Sequence, residues 1–290
     1  MTIPVMRRPI VAVSLKMYFN RQRALRYIRD LSELSRPYAD APVRMALLPD
    51  HLVMAEAAQL MAHSPLMLGA QDIAPADRGA LTGEVSGADL ADLGVTVAEI
   101  GHYERRTIFA ETADMIKSKF AAALRNGLIP LLCVGESVKG EPSAAVEQCL
   151  EQIDAAIGTQ RVSELWIGYE PYWAIGAAEP ATPDYVSAVA CGIRAELVKR
   201  IDAETNETVA EKGIGAGAGA GEADEKTGVE TSEEDAGGQP NLRILYGGSA
   251  GPGLLGQLDM AVDGLFLGRF AHNPAAFISV VDEALARAQR

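Results

Sequence analysis

Cysteine is scarce in this sequence. Its 290 residues hold 3, Cys133, Cys149 and Cys191, an odd number without metal-ligand spacing. Neither a disulfide framework nor a zinc site is indicated, and free thiols are the expectation. Aromatic residues are sparse at 6%, and histidine occurs 4 times. No run approaches the roughly 18 consecutive apolar residues that a membrane span needs, which removes transmembrane readings. Arg7 and Arg8 lie near the start, but the apolar stretch that follows is short and has no small-residue cleavage pattern, so a cytoplasmic protein is expected. Positive charge is in deficit, with 26 basic against 39 acidic residues and a net of −13. That balance argues against nucleic acid or an anionic membrane as partner.

What is present is an ordinary globular composition, 48% apolar and 22% charged, with mean hydropathy +0.06. Much of the acidity is local. Residues 203–240 hold ten acidic side chains and two lysines, a net of −8, together with eight glycines and no Phe, Trp or Tyr. Such a stretch buries too little apolar surface to offset its ordering entropy. Its glycine alternation leads into polar acidic sequence and not into a helix, which disfavours a phosphate-binding loop. The expectation is one domain over residues 1–290, interrupted by a flexible acidic, glycine-rich insertion at 203–240.

Outside it, short apolar runs alternate with amphipathic segments. Eight runs read as strands: residues 10–13, 44–48, 66–70, 97–101, 129–134, 165–169, 242–246 and 264–267. Cap signals mark helices between them: Asn20 before 21–35, Thr112 before 113–125 with Gly127 closing, and Thr182-Pro183 before 184–200. Strand then helix, repeated, means a parallel sheet. Eight such units, with the acidic stretch set aside, match a (β/α)8 barrel better than an open doubly wound sheet.

In that architecture a site forms at the carboxyl ends of the strands. Lys16 follows the first run, His102 and Glu104 the fourth, Glu170 the sixth, and Gly247-Gly248-Ser249 the seventh. Each alone has a plain structural explanation. Together they supply a carboxylate base, an imidazole, a fixed cation and a backbone cradle for an anion, which suits proton abstraction beside a carbonyl in a phosphorylated substrate.

The segments Leu15-Lys16-Met17, Ile100-Gly101-His102-Tyr103-Glu104-Arg105-Arg106, Tyr169-Glu170-Pro171-Tyr172-Trp173-Ala174-Ile175-Gly176 and Tyr246-Gly247-Gly248-Ser249 resemble, in order, the signature segments of the triosephosphate isomerase family. Weaker matches at Gly69-Ala70-Gln71-Asp72, Leu81-Thr82-Gly83-Glu84, Cys133-Val134-Gly135-Glu136 and Asp263-Gly264 extend the resemblance over the chain except 203–240. It implies the barrel fold and a cofactor-free, metal-free aldose–ketose isomerisation of a small phosphorylated sugar through an enediolate. By the resemblance, Glu170 is the base, His102 a neutral imidazole that polarises the carbonyl, Lys16 the electrostatic partner of the enediolate and Glu104 its orienter. The phosphate falls to Gly176, Gly247, Gly248, Ser249 and the turn holding Gly268 and Arg269. Arg105 and Arg106 are expected to brace loops. Residues 171–182 look like the family's closing lid, although Ala177-Ala178-Glu179-Pro180 stands at its tip. The loop from Gly79 to Glu84 resembles the one that reaches into a neighbouring subunit, so a homodimer is expected.

Three departures concern the pocket. Ser14 stands in place of an asparagine, Tyr103 in place of a serine and Arg269 in place of a glycine. They leave the acid–base groups intact while changing volume and hydrogen bonding around them, as a change of substrate requires. A four-carbon ketose phosphate such as L-erythrulose 1-phosphate is therefore the preferred substrate. The alternatives are an ordinary triosephosphate isomerase acting in glycolysis and a non-catalytic phosphosugar-binding relative.

Overall fold

A computed structural model describes residues 7–176, 180–214 and 241–289. Eight strands, β1 (Ile10–Ser14), β2 (Arg44–Leu48), β3 (Leu66–Ala70), β4 (Val97–Ile100), β5 (Ile129–Val134), β6 (Glu164–Tyr169), β7 (Asn241–Tyr246) and β8 (Gly264–Leu267), pair in parallel and in chain order. The barrel closes where β1 meets β8, with Ile10 opposite Gly264 and, on its other side, opposite Arg44. The helices are α1 (Arg21–Ser35), α2 (Met54–Met61), α3 (Gly87–Asp92), α4 (Tyr103–Thr107), α5 (Ala113–Arg125), α6 (Pro142–Ile157), α7 (Pro183–Ile214) and α8 (Pro274–Ala288). The expected (β/α)8 barrel is thus the observed one, with two local differences. After β7 the chain makes only a 3₁₀ turn, Leu255–Gln257, because Gly251, Pro252, Gly253 and Gly256 crowd a segment too short to hold a helix against their propensities. Helix α7 runs on to Ile214, so residues 203–214, expected as loop, continue a helix, while residues 215–240 of that stretch lie outside the described residues.

The expected caps form. Asn20 Oδ1 accepts the Arg23 N–H at 2.9 Å and Thr112 Oγ1 the Met115 N–H at 3.2 Å, each satisfying a donor that its helix leaves free.

Strand alternation divides the core in two. Ile10, Ala12, Ala46, Leu48, Val97, Leu131, Cys133, Trp166, Leu245 and Phe266 fill the barrel, while their chain neighbours Val11, Val13, Met45, Leu47, Ala98 and Leu132 face the helices. The amino-terminal mouth of the barrel is plugged by ions. Arg44 pairs with Glu164 and stacks 4.9 Å from the Trp166 ring, and Asp263 pairs with Arg194 and lies 3.6 Å from Arg243. Charge at that end is spent on closure, and the carboxyl ends of the strands are left for chemistry. No described helix is long and apolar enough to cross a membrane.

Candidate active site

The turn after β1 places Lys16 at φ +46°, and Gln71 holds that turn by donating to the Lys16 and Leu48 carbonyls at 3.3 and 3.0 Å. Lys16 Nζ donates to Glu104 Oε1 at 2.9 Å. The other Glu104 oxygen lies 3.6 Å from His102 Nδ1, and the Glu104 N–H donates to the same nitrogen at 3.1 Å. A nitrogen that accepts a backbone N–H carries no proton, so the hydrogen-bond pattern assigns the neutral ring's proton to Nε2. Nε2 stands 3.3 Å from Glu170 Oε2, and both side chains are buried. Lys16, Glu104, His102 and Glu170, predicted from separate strand ends, therefore meet in one chain of contacts.

Burial acts against each charge, and neighbours decide the outcome. At Glu170 burial favours the neutral acid, but His102, the Lys16 ammonium and the Gly248 N–H outweigh it and hold the carboxyl below its ordinary range. At Lys16 burial is likewise outweighed, here by Glu104, Glu170 and Glu99, and the ammonium is held above its usual value. At His102 burial favours the neutral ring, while Glu170 and Glu99 raise its proton affinity. The Glu104 N–H opposes that pull, since a second proton at Nδ1 requires the bond it makes to break.

One residue of the site escaped the sequence reading. Glu99 alternates with Val97 on β4 and so points into the barrel, one layer beneath His102, where it is 3% exposed. The available signal was a lone acid in the apolar run Val97-Ala98-Glu99-Ile100. Burial, with Glu170 adding to it, pushes its carboxyl up to about 7 against the opposing pull of His102 and Lys16. Below about pH 4.5 the group is protonated in folded and unfolded chain alike. Between there and about pH 7 only the unfolded chain ionises, so stability falls as pH rises, by on the order of 3 kcal/mol in all. Glu99→Gln removes this loss. Its melting temperature relative to the parent is expected to be higher at pH 8 than at pH 5. Equal differences at the two pH values would contradict the buried acid.

The turns after β6, β7 and β8, where the sequence places an anion, are rich in glycine. Gly176 (φ +71°) and Gly248 (φ +86°) take left-handed backbone, the Gly248 N–H turned to Glu170, and Ser249 and Gly268 lie beside them in sequence at the same end of the barrel. Gly247 answers a different need. A Cβ there would lie 2.6 Å from Glu170 Cγ and 2.9 Å from Cδ, so its missing side chain is the space the Glu170 carboxylate occupies. Arg269 is exposed, with its guanidinium 5.9 Å from the Tyr18 ring centroid. Tyr103 packs on Tyr172 with ring centroids 4.8 Å apart, joining the His102 turn to the first residues of the lid. Ser14 Oγ is buried without a hydrogen-bond partner.

Glu136 anchors both ends of the segment expected as a lid: its Oε1 accepts from Trp173 Nε1 at 2.7 Å and Tyr185 OH at 3.0 Å, and its carbonyl accepts the Tyr172 N–H at 3.0 Å. Residues 177–179 at the lid tip lie outside the described residues, and Pro180 is exposed. Arg105 and Arg106 brace loops as expected, Arg105 on Glu111 and Asp72, Arg106 on the Gly101 and Cys133 carbonyls. Residues 79–84 form an exposed loop, with Leu81 38% exposed, and Met17 in the turn after β1 is 87% exposed. Among the described residues no group of three or more His, Cys, Asp or Glu converges as metal ligands would.

Comparison with known proteins agrees with this geometry. The family model described as Triosephosphate isomerase matches residues 9–233. The L-erythrulose-1-phosphate isomerase of Pectobacterium atrosepticum is 42% identical over 285 residues, covering 96% of each chain. The triosephosphate isomerase of Chloroflexus aurantiacus is 34% identical over 283 residues, covering 95% of this chain and 99% of its own. That of Pseudomonas syringae pv. syringae is 37% identical over 199 residues, or 67% of this chain and 78% of its own.

Proposed function

This chain belongs to the triosephosphate isomerase family, and we propose that within it the chain isomerises a four-carbon ketose phosphate, converting L-erythrulose 1-phosphate to D-erythrulose 4-phosphate through an enediolate. The observation that carries the reaction is the contact of Glu170 and His102 Nε2 at 3.3 Å beside the Lys16 ammonium. Glu170 takes the proton from C3 of the substrate, and the electron pair of that C–H bond forms the C2=C3 bond of the enediolate. The His102 Nε2–H polarises the C2 oxygen and passes a proton between the two oxygens. Lys16 faces the negative charge as it develops and stabilises it electrostatically. Return of the proton from Glu170 to C2 leaves the carbonyl at C3. Closure of the lid protects the enediolate, whose neighbouring phosphate is otherwise lost by elimination.

Two things support the four-carbon substrate over a triose phosphate. Ser14 leaves a short, unpartnered hydroxyl beneath the reacting position, and the Pectobacterium protein, similar over nearly the whole chain, carries that activity in its name. The test is kcat/KM for L-erythrulose 1-phosphate and dihydroxyacetone phosphate on one preparation. A preference of roughly 10- to 200-fold for the four-carbon compound is expected. Preference for dihydroxyacetone phosphate would make this an ordinary triosephosphate isomerase.

The active unit in this reading is a homodimer in which the 79–84 loop reaches the partner, and the exposure of Leu81 and Met17 supports it. Light scattering is expected to give twice the chain mass. A fully active monomer would contradict it.

A further inference from the structure

The barrel interior beneath His102 and Lys16 holds two polar groups that take no proton in the steps above, Glu99 and Ser14. We propose that Glu99 and Ser14 form a hydroxyl-recognising pair that selects substrates by the alcohol carried on the carbon farthest from the phosphate. The inference rests on the isomerase reading and deepens it, since it says which residues read the fourth carbon.

Placement carries the argument. Glu99 lies three residues before His102 and Ser14 two before Lys16, and strand alternation turns both inward, one layer below the residues that touch the reacting carbons. The phosphate cradle lies at the mouth, in the turns after β6, β7 and β8. A substrate anchored there by phosphate, with its reacting carbons between His102 and Glu170, directs its remaining end to this layer. Both side chains are only 3% exposed. Ser14 Oγ lies within reach of the Glu99 carboxyl but completes no hydrogen bond of good geometry. A buried hydroxyl without a partner is costly, and one beside a buried carboxyl at the base of the site is relieved by a ligand hydroxyl that bonds to both. A carboxyl accepts such a bond and, when protonated, can also donate one. A three-carbon substrate ends too early to make this contact, and leaves both groups unpaired.

The experiment uses two inert polyol phosphates that differ by one CHOH unit, erythritol 4-phosphate and glycerol 3-phosphate, and measures their Kd values by calorimetry on the full chain. The parent is expected to bind erythritol 4-phosphate at least ~10-fold more tightly, and Glu99→Leu to reduce that ratio to within about 2-fold of unity. Glu99→Gln keeps an acceptor oxygen and is expected to hold the ratio within about 3-fold of the parent. Ser14→Ala lowers the ratio too, and serves if Glu99→Leu does not fold. A parent ratio near unity, a ratio unchanged in Glu99→Leu and Ser14→Ala, or equal weakening of both ligands would overturn the pair. Neither ligand reacts, so the ratio is read independently of turnover. Failure to isomerise a four-carbon ketose phosphate overturns the proposed function, and failure of the ratio to depend on these side chains overturns the role of Glu99 and Ser14.

Discussion

Glu170→Gln is expected to lower kcat by at least roughly 10²-fold with a much smaller change in KM. The amide keeps the shape and one acceptor oxygen of the carboxylate, so substrate still fits. It has no basicity, however, and proton abstraction is the step on which the rest depends. The parent carboxylate is suited to this task because His102, Lys16 and the Gly248 N–H keep it ionised in spite of full burial. Replacing it also frees His102 of the charge that raises its proton affinity, so the variant's imidazole should titrate lower by NMR. A kcat within a few-fold of the parent, measured on folded protein, would remove Glu170 from its role as base.

Gly247→Ala comes second in expected effect, and it tests position without touching any ionisable group. Gly247 has no left-handed φ among the described glycines, so alanine fits its backbone. The atoms nearest the added methyl are those of Glu170, whose Cγ and Cδ would lie 2.6 and 2.9 Å away. Since β7 is held on both sides by paired strands, the carboxylate is the part that yields. A displacement of about 1 Å costs on the order of 10²-fold in rate. The variant is therefore expected to melt near the parent and lose kcat by roughly that factor. Because both changes act on one carboxylate, the double variant Glu170→Gln/Gly247→Ala should lose little more than Glu170→Gln alone. Multiplicative losses would show that Gly247 acts elsewhere, for example on phosphate.

The barrel was legible because its strands are apolar on both faces and bounded by glycine, proline and polar residues. Each of the eight expected runs lies within one residue of the observed strand at either end. Local periodicity could not fix the end of α7. Composition marked residues 203–240 as one solvated stretch, yet five of the nine residues 204–212 are Glu, Ala or Lys, which favour helix, and the backbone stays helical to Ile214. At the site, the groups that act through sequence-local motifs were visible: Lys16, His102, Glu104, Glu170 and the glycine turns. The pairings of Glu136 and Tyr103 were not. Glu136 holds Trp173 and Tyr185 from 37 and 49 residues away, and Tyr103 packs on Tyr172. The proximity of the Arg269 guanidinium to the Tyr18 ring is one that only the folded β1–α1 loop makes available. Glu99 was hidden by its surroundings, since an acid in an apolar strand reads as an interruption until the barrel shows that it faces the interior beneath His102.

The central claim, that Glu170 moves a carbon-bound proton through an enediolate, is tested most directly by isomerising L-erythrulose 1-phosphate in D₂O and following the product by NMR. A carboxylate that holds the proton between abstraction and return exchanges part of it with solvent. D-erythrulose 4-phosphate carrying deuterium at C3, the carbon next to the phosphate-bearing one, is the expected result. Product formed with complete retention of the substrate hydrogen, or no product at all, would contradict the account.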